Sequence, residues 1–189
     1  MNVVSYCDLT ESRWINGGGT VRVIASGAIA SDGTVSFAVS DRWDWRLSIA
    51  DVGQPGDFSQ LPGVGRILTV VDGGPLHLTI NGKSRMAAPY QPLAFDGGIH
   101  TRAALPKGPV RNLNLMCRKG HAGGSVSVIP LQEHALLPHQ AAVLLDGEAF
   151  AGGRKLNSLD TVFGSRNKKV LVKGTGTLAL VGLYGAINR

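Results

Sequence analysis

The sequence predicts an all-β protein, on three observations. Apolar and polar residues alternate with a period of two through most of the apolar segments, as half-buried strands require. Turn-forming pairs such as Asn81-Gly82 and Asp146-Gly147 punctuate those segments, within a chain that has 26 glycines in 189 residues. No window carries the 3.6-residue period of a long amphipathic helix, so any helix is expected to be a turn or two, near Gln140.

Taken in order, Asn16-Gly17-Gly18-Gly19-Thr20 reads as a turn ahead of a strand, because no GxGxxG pattern opens a helix there. In the segment Arg42–Asp51, Asp44, Arg46, Ser48 and Ala50 share one face, opposite Trp45, Leu47 and Ile49. Gly56 to Arg66 is a loop too rich in glycine to be core, yet it carries Phe58, Ser59 and Arg66. Ile67–Val71 and Leu76–Ile80 are strands separated by Asp72-Gly73-Gly74-Pro75 and closed by Asn81-Gly82. Asn112, Asn114, Met116 and Arg118 alternate with apolar Leu113, Leu115 and Cys117. Val126 and Val128, Ala142–Leu145, Val170–Val172 and Leu178–Val181 supply further strands, with turns expected at Asp146-Gly147 and Gly174-Thr175-Gly176.

Val70-Val71-Asp72-Gly73-Gly74 recurs in pattern as Leu144-Leu145-Asp146-Gly147-Glu148. That echo, with the even strand spacing, predicts two stacked β-units. Their boundary falls at Pro106–Pro109, giving halves of residues 1–105 and 106–189 that pack intimately as one unit with exchanged strands.

Composition excludes several classes. Charged residues make up 17% of the chain, and no apolar run approaches the ~20 residues of a membrane span. The first residues lack the basic and apolar regions of a secretory signal, so a cytoplasmic protein with no membrane partner is expected. Cys7 and Cys117 lack any CxxC or Cys/His spacing and are expected to be buried free thiols. The net charge of +6 is uneven: residues 1–104 carry eight Lys/Arg against nine Asp/Glu, and residues 105–189 carry eleven against four. The densest basic run, Arg166-Asn167-Lys168-Lys169, has no interleaved aromatic and reads as a solvated loop rather than a nucleic-acid contact.

The nucleophile elbow GxSxG, the phosphate loop GxxxxGK[ST] and the zinc motif HExxH are all missing. The five histidines, His77, His100, His121, His134 and His139, form no HxH pair, so neither a metal nor a cofactor is expected.

Several of these stretches together resemble the HutD/Ves family of cupin-like proteins, associated with bacterial histidine utilisation. They are Trp14–Thr20 (W-x-N-G-G-G-T), Trp45–Val52, Phe58-Ser59 through Pro62-Gly63 to Arg66, Phe95-Asp96-Gly97, and Gly108–Met116 (G-P-x-x-x-x-N-x-M). The resemblance implies a cupin-like β-sandwich or barrel of two compactly packed halves, a bicupin, and an accessory or regulatory role in that pathway. Val23, Asp57 and Gly65 depart from it, standing where glutamate, proline and an acidic residue are usual. The metal-binding cupin pattern is broken as well, since His77-Leu78-Thr79 supplies one histidine where two are needed.

Residues and resemblance together define a candidate site. Arg46, Arg66, Ser48, Ser59, Asn112 and Asn114, beside Trp45 and Phe58, suit a small carboxylate metabolite, which arginine grips in bidentate fashion. Asn16, Asp96 and Met116, in the matching motifs, complete the set. The expected ligand is of the urocanate or N-formylglutamate type, carrying a carboxylate with an imidazole or amide. An alternative is a metal-free enzyme acting on a related acid, with Asp96 or His100 as general acid or base. Exposed strand edges would allow a homodimer.

Overall fold

A computed structural model describes residues 2–14, 17–30, 32–37 and 42–185. Among these, the one helical element is a 3-10 turn at Tyr6–Asp8. Gln140, expected near a short helix, instead opens the long strand Gln140–Ala151.

The strands form three antiparallel sheets. The central one orders Leu93–Asp96, Val64–Gly73, Val110–Arg118, Trp45–Val52, Gly19–Ile29 and Glu11–Arg13, with Val35–Phe37 added to Gly19–Ile29. One face is covered by a four-stranded sheet of Gly56–Asp57, Thr101–Ala104, Leu76–Ile80 and Lys83–Ala87. The other packs on a six-stranded sheet of Asn2–Val4, Thr161–Phe163, Gln140–Ala151, Val170–Gly185 and Ala122–Leu136, with Arg154–Leu156 beside Gln140–Ala151.

Period-two alternation produces three apolar layers. Trp45, Leu47, Ile49, Leu113 and Leu115 leave the central sheet on one side to meet Val143, Leu145, Phe163 and Val181. On its other side Leu68, Val70 and Val110 meet Leu76, Leu78 and Ala103 of the four-stranded sheet. The six-stranded sheet folds over its own layer of Ala142, Leu144, Ala151, Val172 and Leu178.

The sequence echo has a structural counterpart. Val71 and Leu145 both enter the shared layer, while Val70 and Leu144 face the two outer ones. Both segments lie at register shifts, opposite Arg111/Asn112 in one case and between Leu144 and Asp146 in the other. The expected turns at Asp146-Gly147 and Gly174–Gly176 are corrected, because both lie inside continuous strands. Glycine marks bends there: Gly147 has φ 91°, Gly174 and Gly176 have φ 145°, and a Cβ at Gly147 would run into the Thr175 carbonyl.

No strand spans residue 105, but strand pairing joins the segments on either side of it. Val110–Arg118 sits in the middle of the central sheet, so sheet membership changes after Arg118, and Asn2–Val4 pairs with Thr161–Phe163 at the far end of the chain. The buried carboxylate of Asp160 fastens that N-terminal segment by accepting from Tyr6 N at 2.9 Å, Asn157 N at 3.0 Å and the Ser5 hydroxyl at 3.4 Å. Asp160→Ala leaves two backbone N–H groups without their acceptor. It is expected to lower unfolding stability by about 2–3 kcal/mol in a urea titration.

Candidate functional site

The face of the central sheet turned toward the four-stranded sheet is apolar at one end and polar at the other. Strand register explains this. Across the ladders Arg46 lies opposite Met116, and Met116 opposite Arg66. One step along, Ser48 lies opposite Asn114 and Asn114 opposite Leu68. A further step pairs Ala50, Asn112 and Val70. The two asparagines thus point inward, being 0% and 3% exposed, and form part of the sandwich floor.

A cavity of about 580 Å³ opens over the polar end, lined by Arg13, Trp14, Val21, Arg46, Ser48, Ala50, Asp57, Phe58, Ser59, Leu61, Arg66, Asn114 and Met116. This volume falls in the range that holds small metabolites. The Phe58–Val64 loop forms one wall, tied down where Phe58 N donates to Thr101 O (2.8 Å) and Leu61 N to Gly97 O (2.7 Å). Trp14 meets the Phe58 ring edge-on, with centroids 6.1 Å apart.

Arg66 is the unusual group. Its side chain is 7% exposed, and its guanidinium lies 5.1 Å from the ring centres of both Phe58 and Phe95. Nη2 donates to Asn114 Oδ1 at 3.2 Å, while Nε has no partner. Asn114 Nδ2 donates in turn to Asn112 Oδ1, so a buried amide pair holds the guanidinium from beneath. Gly97 leaves room for it, since a Cβ there would stand 3.1 Å from Arg66 Cδ. With no carboxylate beside it, burial pulls the Arg66 pKa down to about 10. Burial lowers that of Arg46 as well, and Arg46 Nε is also without a partner.

Arg46, Ser48, Phe58, Ser59, Arg66, Asn114 and Met116 therefore share one cavity. Asn112 lies beneath it, against Asn114. Asn16 lies outside the described residues.

Two placements, those of Trp45 and Asp96, correct the expectation. Trp45 is fully buried in the layer against the six-stranded sheet, because alternation turns it away from Arg46 and Ser48. Asp96 is drawn off by Lys119 Nζ at 2.6 Å and lines a second concavity, with Cys117 and Tyr184, that Arg66 also borders. Hydrogen bonds from Lys119 and from Gly98 N–H hold its carboxyl below the usual range, the wrong direction for a general acid at neutral pH. His100 is exposed at the rim, with Nε2 3.4 Å from Asp57 Oδ1.

The sequence reading did not name Arg13, Trp14, Val21, Ala50, Asp57 or Leu61 among the site residues. Ala50 was legible from its face shared with Arg46 and Ser48, and Trp14 stands in the Trp14–Thr20 motif. Asp57 joins through a two-residue strand paired with Arg102, a contact with no local signal.

Cupin metal centres take imidazole and carboxylate donors. This cavity instead presents three guanidinium groups, and among the described residues no three of His, Cys, Asp and Glu come together. The donor set does not fit a cation. No helix of the described residues is long and apolar enough to cross a membrane.

Both cysteines are free, and Cys117 is buried as expected, but Cys7 is exposed. Burial pushes the Cys117 thiol up to about 11. A thiol-reactive disulfide reagent at mild alkaline pH is therefore expected to label Cys7 rapidly and Cys117 only on unfolding, giving one fast thiol per chain by absorbance.

Comparison with known proteins places this architecture. The HutD family model matches residues 6–180. The protein belongs to the HutD family. Among the curated relatives, this HutD-family chain is 34% identical over 110 residues to an uncharacterised 21.2 kDa protein in the hutC 3' region of Pseudomonas putida, covering 58% of this chain and 54% of that one. It is 32% identical over 118 residues to protein Ves of Citrobacter koseri, covering 61% and 56%. The chain thus spans little more than half the length of the curated relatives it matches.

Among solved structures, HutD from Pseudomonas fluorescens SBW25 superposes with a TM-score of 0.79 at 28% identity, over 98% of this chain and 99% of that one. A cupin 2 conserved barrel domain protein from Leptotrichia buccalis gives 0.58 at 9% identity, over 98% and 96%, which shows the cupin-like fold alone.

Proposed function

We propose that this HutD-family protein binds a small carboxylate metabolite in the Arg66 cavity, as an accessory or regulatory protein of histidine utilisation. The observation that carries the reading is Arg66 itself. A guanidinium sandwiched between two phenyl rings, hydrogen-bonded to a neutral amide and left with a free Nε–H, is a prepared receptor for an anion. Ser48, Ser59 and Asn114 add neutral hydrogen-bonding groups, while Phe58 and Trp14 supply flat apolar walls. Such walls suit the planar imidazole or amide of a urocanate or N-formylglutamate type ligand. The P. putida relative in the hutC 3' region supports the metabolic setting.

A thermal-shift series with histidine, urocanate, N-formylglutamate, glutamate and divalent metal ions tests the reading. A specific acid at about 100 times its Kd is expected to add about 2.7 kcal/mol of stability, and the metals nothing. A flat response to every acid would refute it.

A further inference from the structure

The basic run Arg166–Lys169 has no aromatic beside it along the chain, but strand pairing brings one to it. Phe150 lies directly opposite Lys173 on one side and Lys155 on the other. Ala149 and Ala151 are buried in the layer of the six-stranded sheet, so alternation turns the Phe150 ring outward, where it is 42% exposed. Leu171 shares the outward face of its strand with Lys173, between buried Val170 and Val172. Phe150, Leu171 and the hairpin tip Gly152-Gly153 line a concavity of about 470 Å³ together with Lys168, Lys169 and Lys173. We infer that this concavity binds a nucleoside polyphosphate, its base against Phe150 and its phosphates on the lysines.

Charge sets the first requirement. No acidic residue lines the concavity, and Lys168 and Lys169 form no ion pair among the described residues. Lys173 is held by Glu133 at 2.9 Å, and the hydrogen bond and charge of Lys173, with the charge of Lys169, keep that carboxyl below its usual range. Three lysines against this one carboxylate leave two excess positive charges, which calls for a multiply charged anion. The apolar walls set the second requirement. Inorganic phosphate would leave Phe150 and Leu171 wet, whereas a base offers a flat face to the phenyl ring. The volume sets the third, because it holds a single small molecule, whereas a nucleic-acid strand needs a groove for about four nucleotides or more.

Calorimetric titration of the wild-type chain in low salt with ATP, tripolyphosphate and an oligo-dT strand tests this. ATP is expected to bind about tenfold or more tightly than tripolyphosphate, which carries at least as much charge, the difference being one base–aromatic stack. In Phe150→Ala, with folding checked by circular dichroism, ATP is expected to fall to the affinity of tripolyphosphate, while tripolyphosphate is unchanged. The double variant Lys168→Gln/Lys169→Gln is expected to weaken both. None of these three residues lines the Arg66 cavity, so unchanged ATP affinity in Phe150→Ala would place the nucleotide elsewhere and overturn the inference. Equal binding of ATP and tripolyphosphate by the wild type would reduce the concavity to a polyanion patch and overturn it too. Tighter binding of oligo-dT than of ATP would overturn it in favour of a single strand. Absence of ATP binding would show the lysines to be a solvated loop.

Discussion

Arg66→Met is expected to abolish ligand-induced stabilisation while leaving the apo protein folded and within about 2 kcal/mol of wild-type stability. Several opposing effects set that small net change. Depression of the Arg66 pKa from the ordinary guanidinium value to about 10 corresponds to a burial penalty of about 3 kcal/mol for the charged form. Above about 10 the folded state has released the proton that the unfolded state retains, so stability recovers as pH rises from there toward the ordinary guanidinium value. Below that window the penalty is fully present, so at neutral pH methionine relieves it.

Against this relief stand two cation–π contacts of about 1–2 kcal/mol each and the bond to Asn114, whose buried carbonyl is left unpaired. Methionine fills the same slot between Phe58 and Phe95 and retains favourable sulfur–aromatic contact. Denaturant midpoints with and without N-formylglutamate separate the two effects. Wild-type-like ligand stabilisation in the variant would show that Arg66 does not receive the anion.

Trp45→Ala is expected to cost about 3–5 kcal/mol, the largest stability loss of any substitution considered, with the ligand affinity of the folded fraction unchanged. Trp45 is fully buried in the apolar layer it shares with Leu47 and Leu115, so truncation opens a cavity between the central and six-stranded sheets. It lies on the opposite side of the central sheet from Arg46. A loss of affinity in excess of the unfolded fraction, measured by titration at low temperature, would restore Trp45 to the site.

Much of the fold was legible because strand periodicity is local. Arg46 and Ser48, and Asn112 and Asn114, were on shared faces in the sequence, and the type and sidedness of their strands needed nothing further. The same alternation placed Trp45 opposite Arg46, so its inclusion among the binding residues went against the pattern that identified them.

Less legible were properties that depend on partners far away in the chain. The mixed face of Asn112 and Asn114 is buried only because the strands of residues 76–104 fold back over it. Asp96, in a family motif, is taken by Lys119, 23 residues further along the chain. Phe95 reaches Arg66 because Leu93–Asp96 pairs with Val64–Gly73. Glycine misled for another reason: Gly147 and Gly176 relieve a bend inside long strands with the same residue that would close a turn.

The most direct measurement of the central claim is the Arg66 Nε–Hε resonance pair in a proton–nitrogen spectrum during titration with N-formylglutamate. That N–H has no acceptor in the ligand-free structure. The account predicts a downfield shift of this pair, saturating with the ligand and absent from Arg66→Met. An Arg66 Nε–Hε pair that stays in place while the ligand saturates the protein would contradict it.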